Sequence, residues 1–100
     1  MDSENLKRQI DSLNVQIFIA SKINRSKQRT MLVEDIINLD EIKNYDEETK
    51  KNALKIMVSR GILNYKFIGG EIAYEISDFG DYFFAELCKT NSGFNDMYKR

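Results

Sequence analysis

A chain of 100 residues, 42% hydrophobic and 31% charged, has the make-up of one ordinary globular domain, large enough for a single core without metals or disulfides. The absence of histidine and the lone Cys88 exclude most zinc and nucleophile chemistry, because a structural zinc site takes about four N or S ligands. The net charge of −1 hides strong alternation: residues 49–69 hold Lys50, Lys51, Lys55, Arg60 and Lys66 with no acid, whereas residues 70–88 hold five acids and no base. With no run of about 18 apolar residues and no export leader, the expectation is a cytoplasmic protein without membrane contact, metal or cofactor.

Leu6, Ile10, Leu13, Ile17 and Ala20 recur at alternating four and three spacings, which predicts an amphipathic helix over residues 4–23. From Val15 onward, Val15, Phe18, Ile19 and Ile23 fall off that stripe, so the second half of the helix is apolar nearly all round. Two arrangements cover such a helix. A second subunit packs on Val15, Phe18 and Ile19 across a twofold axis, the favoured reading, or the helix is threaded through the middle of its own domain. Residues 21–29, SKINRSKQR, are polar and bring Lys22, Arg25, Lys27 and Arg29 into a loop, solvated or facing phosphates. Thr30 is placed to cap a short helix through Leu39, with Val33, Ile36 and Ile37 inward.

After an acidic connection, Asp46 to Arg60 reads as a bounded helix. Asp46, Glu47 and Glu48 serve its positive end, and Gly61 offers a left-handed cap. Steps of roughly 100° put Ala53, Leu54, Met57 and Val58 on one side and Glu48, Lys51, Asn52, Lys55 and Ser59 on the other. Leu63–Phe67 and Ile72–Ile76 then alternate apolar and polar around Gly69-Gly70, the pattern of a hairpin with a two-residue turn. That register sets Phe67 opposite Ile72, Tyr65 opposite Tyr74 and Leu63 opposite Ile76, all on one face expected to be buried, with Asn64, Lys66, Ala73 and Glu75 on the other. Ser77 caps a last helix carrying Phe79, Tyr82, Phe83 and Leu87. Beyond it lies a loose tail in which Phe94, Met97 and Tyr98 could form one turn against a partner. No glycine loop of phosphate-binding type and no catalytic constellation appears, so no enzyme is expected.

A helix ending in SRGIL, a short hairpin, and YEISDFG opening an aromatic helix resemble the winged-helix DNA-binding fold of small MarR-like and ArsR-like regulators. The likeness covers Leu54 to Gly80, and the outline is also similar to TubR-type adaptors of plasmid and phage partition systems. The resemblance implies one α+β domain over residues 1–100: a winged helix-turn-helix with a C-terminal two-stranded hairpin wing and a final helix. It further implies a homodimer that binds double-stranded DNA for transcription regulation, or that coats centromere repeats and recruits a filament-forming partition protein. On that pattern Thr49, Lys51, Asn52, Lys55 and Ser59 meet the major groove, while Arg60, Lys66, Lys22, Arg25, Lys27 and Arg29 contact phosphates. The rival class is a winged helix used only for protein–protein interaction, favoured by the acidic first turn and by a wing tip without a basic residue.

Overall fold

The computed structural model describes residues 3–94 and 96–99, so Asn95 and Arg100 of the expected loose tail lie outside the described residues. The fold is α+β. In chain order come α1 (Ser3–Asn24), β1 (Thr30–Leu32), α2 (Val33–Ile37), α3 (Glu47–Ser59), β2 (Leu63–Ile68), β3 (Glu71–Ile76) and α4 (Asp78–Thr90). Single 3-10 turns at Lys27–Arg29, Asp40–Ile42 and Ser92–Phe94 lie between or after them. The strands form one antiparallel sheet in the order β1-β3-β2. Among the described residues no helix is long and apolar enough to cross a membrane.

The second half of α1 is the axis of the core. Val15, Ile17, Ile19, Ala20 and Ile23 are fully buried, and Gln16 and Ser21 are buried with them. Both of those polar side chains are satisfied: Gln16 donates to the Ser12 hydroxyl, and Ser21 exchanges bonds with the Lys99 backbone. A helix apolar all round is therefore enclosed by its own chain, with α3, α4 and β3 all packed on it. Val15 and Ile19 have no surface left to offer a second copy, and Phe18 is half-buried against the core. The uncovered part of the stripe is its beginning, where Leu6 and Ile10 are exposed.

Thr30 does not open a helix. Gln28 and Arg29 both adopt left-handed backbone, φ 57° and 53°, and deliver residues 30–32 to the edge of β3 in the pairing Thr30↔Glu75, Met31↔Tyr74 and Leu32↔Ala73. Helix α2 shrinks to Val33–Ile37, preceded by Leu32 without a side-chain cap. The local capping signal at Thr30 loses to the unpaired edge of a strand that lies more than 40 residues further along the chain.

The sequence places α3 and the hairpin well. Asp46 accepts the Thr49 N–H at 2.7 Å, and Gly61 takes φ 75° at the far end. Ala53, Leu54 and Met57 face the core. Lys50 joins them, its amine donating to the Ile37 carbonyl at 2.8 Å and tying α3 to the end of α2, so one cation of the acid-free block is not on the surface. In the hairpin the pairs Leu63↔Ile76, Tyr65↔Tyr74 and Phe67↔Ile72 all form, and Gly69 and Gly70 both sit at positive φ. Burial departs from the expected single face. Leu63, Ile76 and Tyr74 are buried, but Tyr65, Phe67 and Ile72 are exposed, because the hairpin runs on past the helices that cover its base. Ala73, expected outward, is fully buried on the central strand, flanked by Leu32 and Lys66.

Ser77 ties the hairpin to α4. Its side chain accepts the Gly80 N–H and donates to the Gly61 carbonyl, while its own N–H donates to the Ile62 carbonyl. Helix α4 buries Phe84 and Cys88; of the aromatics named from the sequence, Phe79 and Tyr82 are exposed and Phe83 packs partly buried against the core. The tail turns back on its own chain: Phe94, Met97 and Tyr98 pack on the core, and the Tyr98 hydroxyl donates to Asp81.

Candidate nucleic-acid interface

Helix α3 presents an exposed row of Glu48, Lys51, Asn52, Lys55 and Ser59, followed by exposed Arg60. The row exists because the opposite face is fixed in the core and the helix is held at both ends, by the Asp46 cap and by Gly61. Acid gathers at its first turn. Hydrogen bonds from the Thr49 side chain and backbone N–H hold the Asp46 carboxyl below its ordinary range, so it stays ionised there. Glu47 lies 4.0 Å from the Lys51 amine one turn on. The Ser59 hydroxyl turns back to the Ile56 carbonyl. Cationic character is therefore concentrated at Lys55 and Arg60, with Lys51 partly offset.

Thr49 and Asn52 lie on the flank of α3 that runs beside the first half of α1. They share a polar cleft with Glu4, Lys7, Arg8, Asp11 and Ser12, and Asn52 and Arg60 share a second with Arg8, Gln9 and Gln16. Arg8 borders both clefts and extends the α3 cations onto α1. Sequence reasoning missed it, although the stripe from Leu6 to Ala20 already puts Arg8 on the opposite side of the helix.

Of the expected phosphate contacts, Arg60 closes α3, and the others lie on other elements. The Lys66 amine lies 2.8 Å from a Glu75 carboxylate oxygen across the hairpin. Arg29 binds the Asp78 carboxylate and the Ser77 carbonyl at the base of the sheet, the end opposite Gly69-Gly70. Lys22 stands 3.9 Å from Glu41, while Arg25 and Lys27 are exposed. Lys22 and Arg8 are separated by about 21 Å along α1 at 1.5 Å per residue. The cations fall into an α3 group of Lys51, Lys55, Arg60 and Arg8, a loop group of Lys22, Arg25 and Lys27, and two committed residues, Arg29 and Lys66.

Among the described residues no group of three His, Cys, Asp or Glu side chains could hold a metal ion. Burial pushes the Cys88 thiol up, which leaves it protonated and unreactive. Comparison with protein-family models, curated proteins and solved structures gives no match for this chain.

Proposed function

We propose that the protein is a winged helix-turn-helix that binds double-stranded DNA as a homodimer, with α3 lying in the major groove and β2-β3 as the wing. The observation that carries this reading is the exposed side of α3: Lys51, Lys55 and Arg60 project from a segment, residues 49–69, that contains no acid. The succession helix, strand, helix, helix, hairpin, helix supports it, as does an α3 fixed rigidly by its core face. Contact between subunits falls to the exposed start of the α1 stripe, Leu6 and Ile10, rather than to Val15 and Ile19. Operator binding in transcription regulation and centromere binding in a partition system use this same chemistry and differ in the DNA and in the protein recruited to it.

A second reading, a winged helix that binds protein alone, draws support from the exposed apolar wing, where Tyr65, Phe67 and Ile72 stand without a free cation at the tip. Salt dependence separates the two. Three phosphate contacts per subunit give a slope of log affinity against log salt of roughly −2.7 per subunit, at about 0.9 per contact. Lys55→Ala lowers that slope by about one, whereas Lys66→Ala leaves it unchanged because Glu75 already holds the amine. A gel shift on the protein's own upstream DNA and on nearby repeat arrays, at two salt concentrations, is the direct test. No shift on either DNA at low salt ends the DNA-binding reading.

A further inference from the structure

Helices α1 and α3 run side by side in the same direction, and the seam between them holds two adjoining clefts of opposite character. The first lies where both helices begin, and Glu4, Asp11, Asp46 and Glu48 line it against Lys7 and Arg8. The second lies further along both helices, a groove of about 400 Å³ whose lining carries two arginines and no carboxylate.

Arg8 comes from α1 and Arg60 from the end of α3, and Gln9 and Asn52 add exposed side-chain amides. Gln16, 5% exposed, holds its amide to the Ser12 hydroxyl at 3.1 Å, so Ser12 accepts that bond and keeps its own proton to give. Arg60 makes no ion pair among the described residues. Arg8 reaches only Glu4, at 4.0 Å with both side chains largely exposed, a contact of little strength. Donors with no carboxylate among them are the lining an anion needs, and the arginine fork matches phosphate oxygens.

The place of the groove matters as much as its lining. At roughly 100° per residue, Asn52 and Ile56 stand about 60° and about 100° round α3 from Lys55, which puts the groove on a flank of that helix. A helix about 10–12 Å across fills a major groove about 12 Å wide, so the two DNA backbones lie along its flanks. On this flank α1 stands beside the path of one of them.

We infer that the α1–α3 groove seats the phosphate backbone of one DNA strand, with Arg8 of α1 as a fourth phosphate contact in each subunit. The inference rests on the DNA-binding reading and adds to it that the strand is held from two helices, so that α1 sets how α3 is turned in the major groove. Backbone contacts carry no sequence information, so Arg8 fixes position and not preference. The adjoining acidic cleft repels the strand, which confines the contact to the half of the seam that ends at Arg60.

Gel shifts across a salt series, on the DNA the protein prefers and on a scrambled sequence, test the groove. A fourth contact steepens the slope of log affinity against log salt from roughly −2.7 to roughly −3.6 per subunit, at about 0.9 per contact. Arg8→Ala should lower the slope by about 0.9 and weaken both DNAs by the same factor. Arg8 is exposed on a helix where alanine is well tolerated, so the fold survives the change. Gln9→Glu, which sets a carboxylate in the groove, should also weaken both DNAs. Lys7→Ala should change neither, because Asp11 holds that amine at 2.8 Å in the acidic cleft. If Lys55→Ala flattens the salt dependence and Arg8→Ala does not, α3 binds DNA without the groove, and the inference is wrong while the DNA-binding reading stands. Lys7→Ala acting as strongly as Arg8→Ala would show diffuse attraction in place of a seat and overturn it equally. No shift by the unaltered protein at low salt ends both. Saturable binding of inorganic phosphate without DNA, lost in Arg8→Ala, assigns the groove to a free phosphate and overturns the strand.

Discussion

The base and the tip of the β2-β3 hairpin carry the same alternation of apolar and polar residues, yet they have opposite fates. At the base Leu63 and Ile76 are 1% and 3% exposed, locked between α3 and α4 by the Ser77 bonds. At the tip Phe67 and Ile72 face each other in the register the sequence predicts and remain exposed. Register is a local property, fixed by a two-residue turn and the period of the strand. Burial is not local, since it depends on how far the helices reach along the sheet. The same lesson holds for α1, whose second half is enclosed and whose first half keeps an identical stripe uncovered.

The sharpest way to test the boundary between base and tip is Tyr74, which is 7% exposed although its cross-strand partner Tyr65 is 55% exposed, with ring centroids 5.2 Å apart. Tyr74→Ala removes a large buried ring and should cost about 3 kcal/mol of unfolding free energy, read from denaturant midpoints. A loss under about 1 kcal/mol would mean that the covered region stops short of Tyr74.

Next in size is Gly80. A Cβ there would stand 2.7 Å from the Ile62 carbonyl oxygen and 2.8 Å from the Ile62 Cγ2, so α4 could not approach the hairpin base. Gly80→Ala should destabilise by about 1–3 kcal/mol, the usual range for overpacking. Gly93→Ala, which meets nothing within 4 Å, is the matched control. Equal costs at the two positions would show that close contact at the base is not what holds α4. Ser77→Ala should follow at about 1 kcal/mol, the ordinary cost of losing an N-cap, since the Gly80 N–H and the Gly61 carbonyl both lose their partner. Thermal melts resolve a change of that size.

Legibility follows the range of the interactions. Asp46, Gly61, the Gly69-Gly70 turn and Ser77 act within four residues or across one turn, and each does in the structure what its residue type predicts. The strand at Thr30–Leu32 depends on Glu75 to Ala73, and nothing near Thr30 announces it. The outward row of α3 was legible from its period, but the availability of its charges was not. Lys50 goes to the Ile37 carbonyl, Lys66 to Glu75 and Arg29 to Asp78, all choices made by neighbours distant in sequence. Blocks of charge in a sequence count residues, whereas an interface uses only the charges left over.

The smallest effect tests the comparison most directly. Phe67 is the most exposed of the large apolar residues described, and it pairs with Ile72 across the hairpin. An aromatic paired with a β-branched residue across a non-bonded pair contributes about 0.2–1 kcal/mol, and exposure places Phe67 at the lower end of that range. Phe67→Ala should therefore shift unfolding free energy by no more than about 0.5 kcal/mol at micromolar protein, roughly one sixth of the Tyr74→Ala cost two positions along the partner strand. The measurement is a pair of denaturation curves recorded under identical dilute conditions, where contact between copies is minimal. A loss near that of Tyr74→Ala would place the tip inside a core and erase the difference between the two ends of the hairpin.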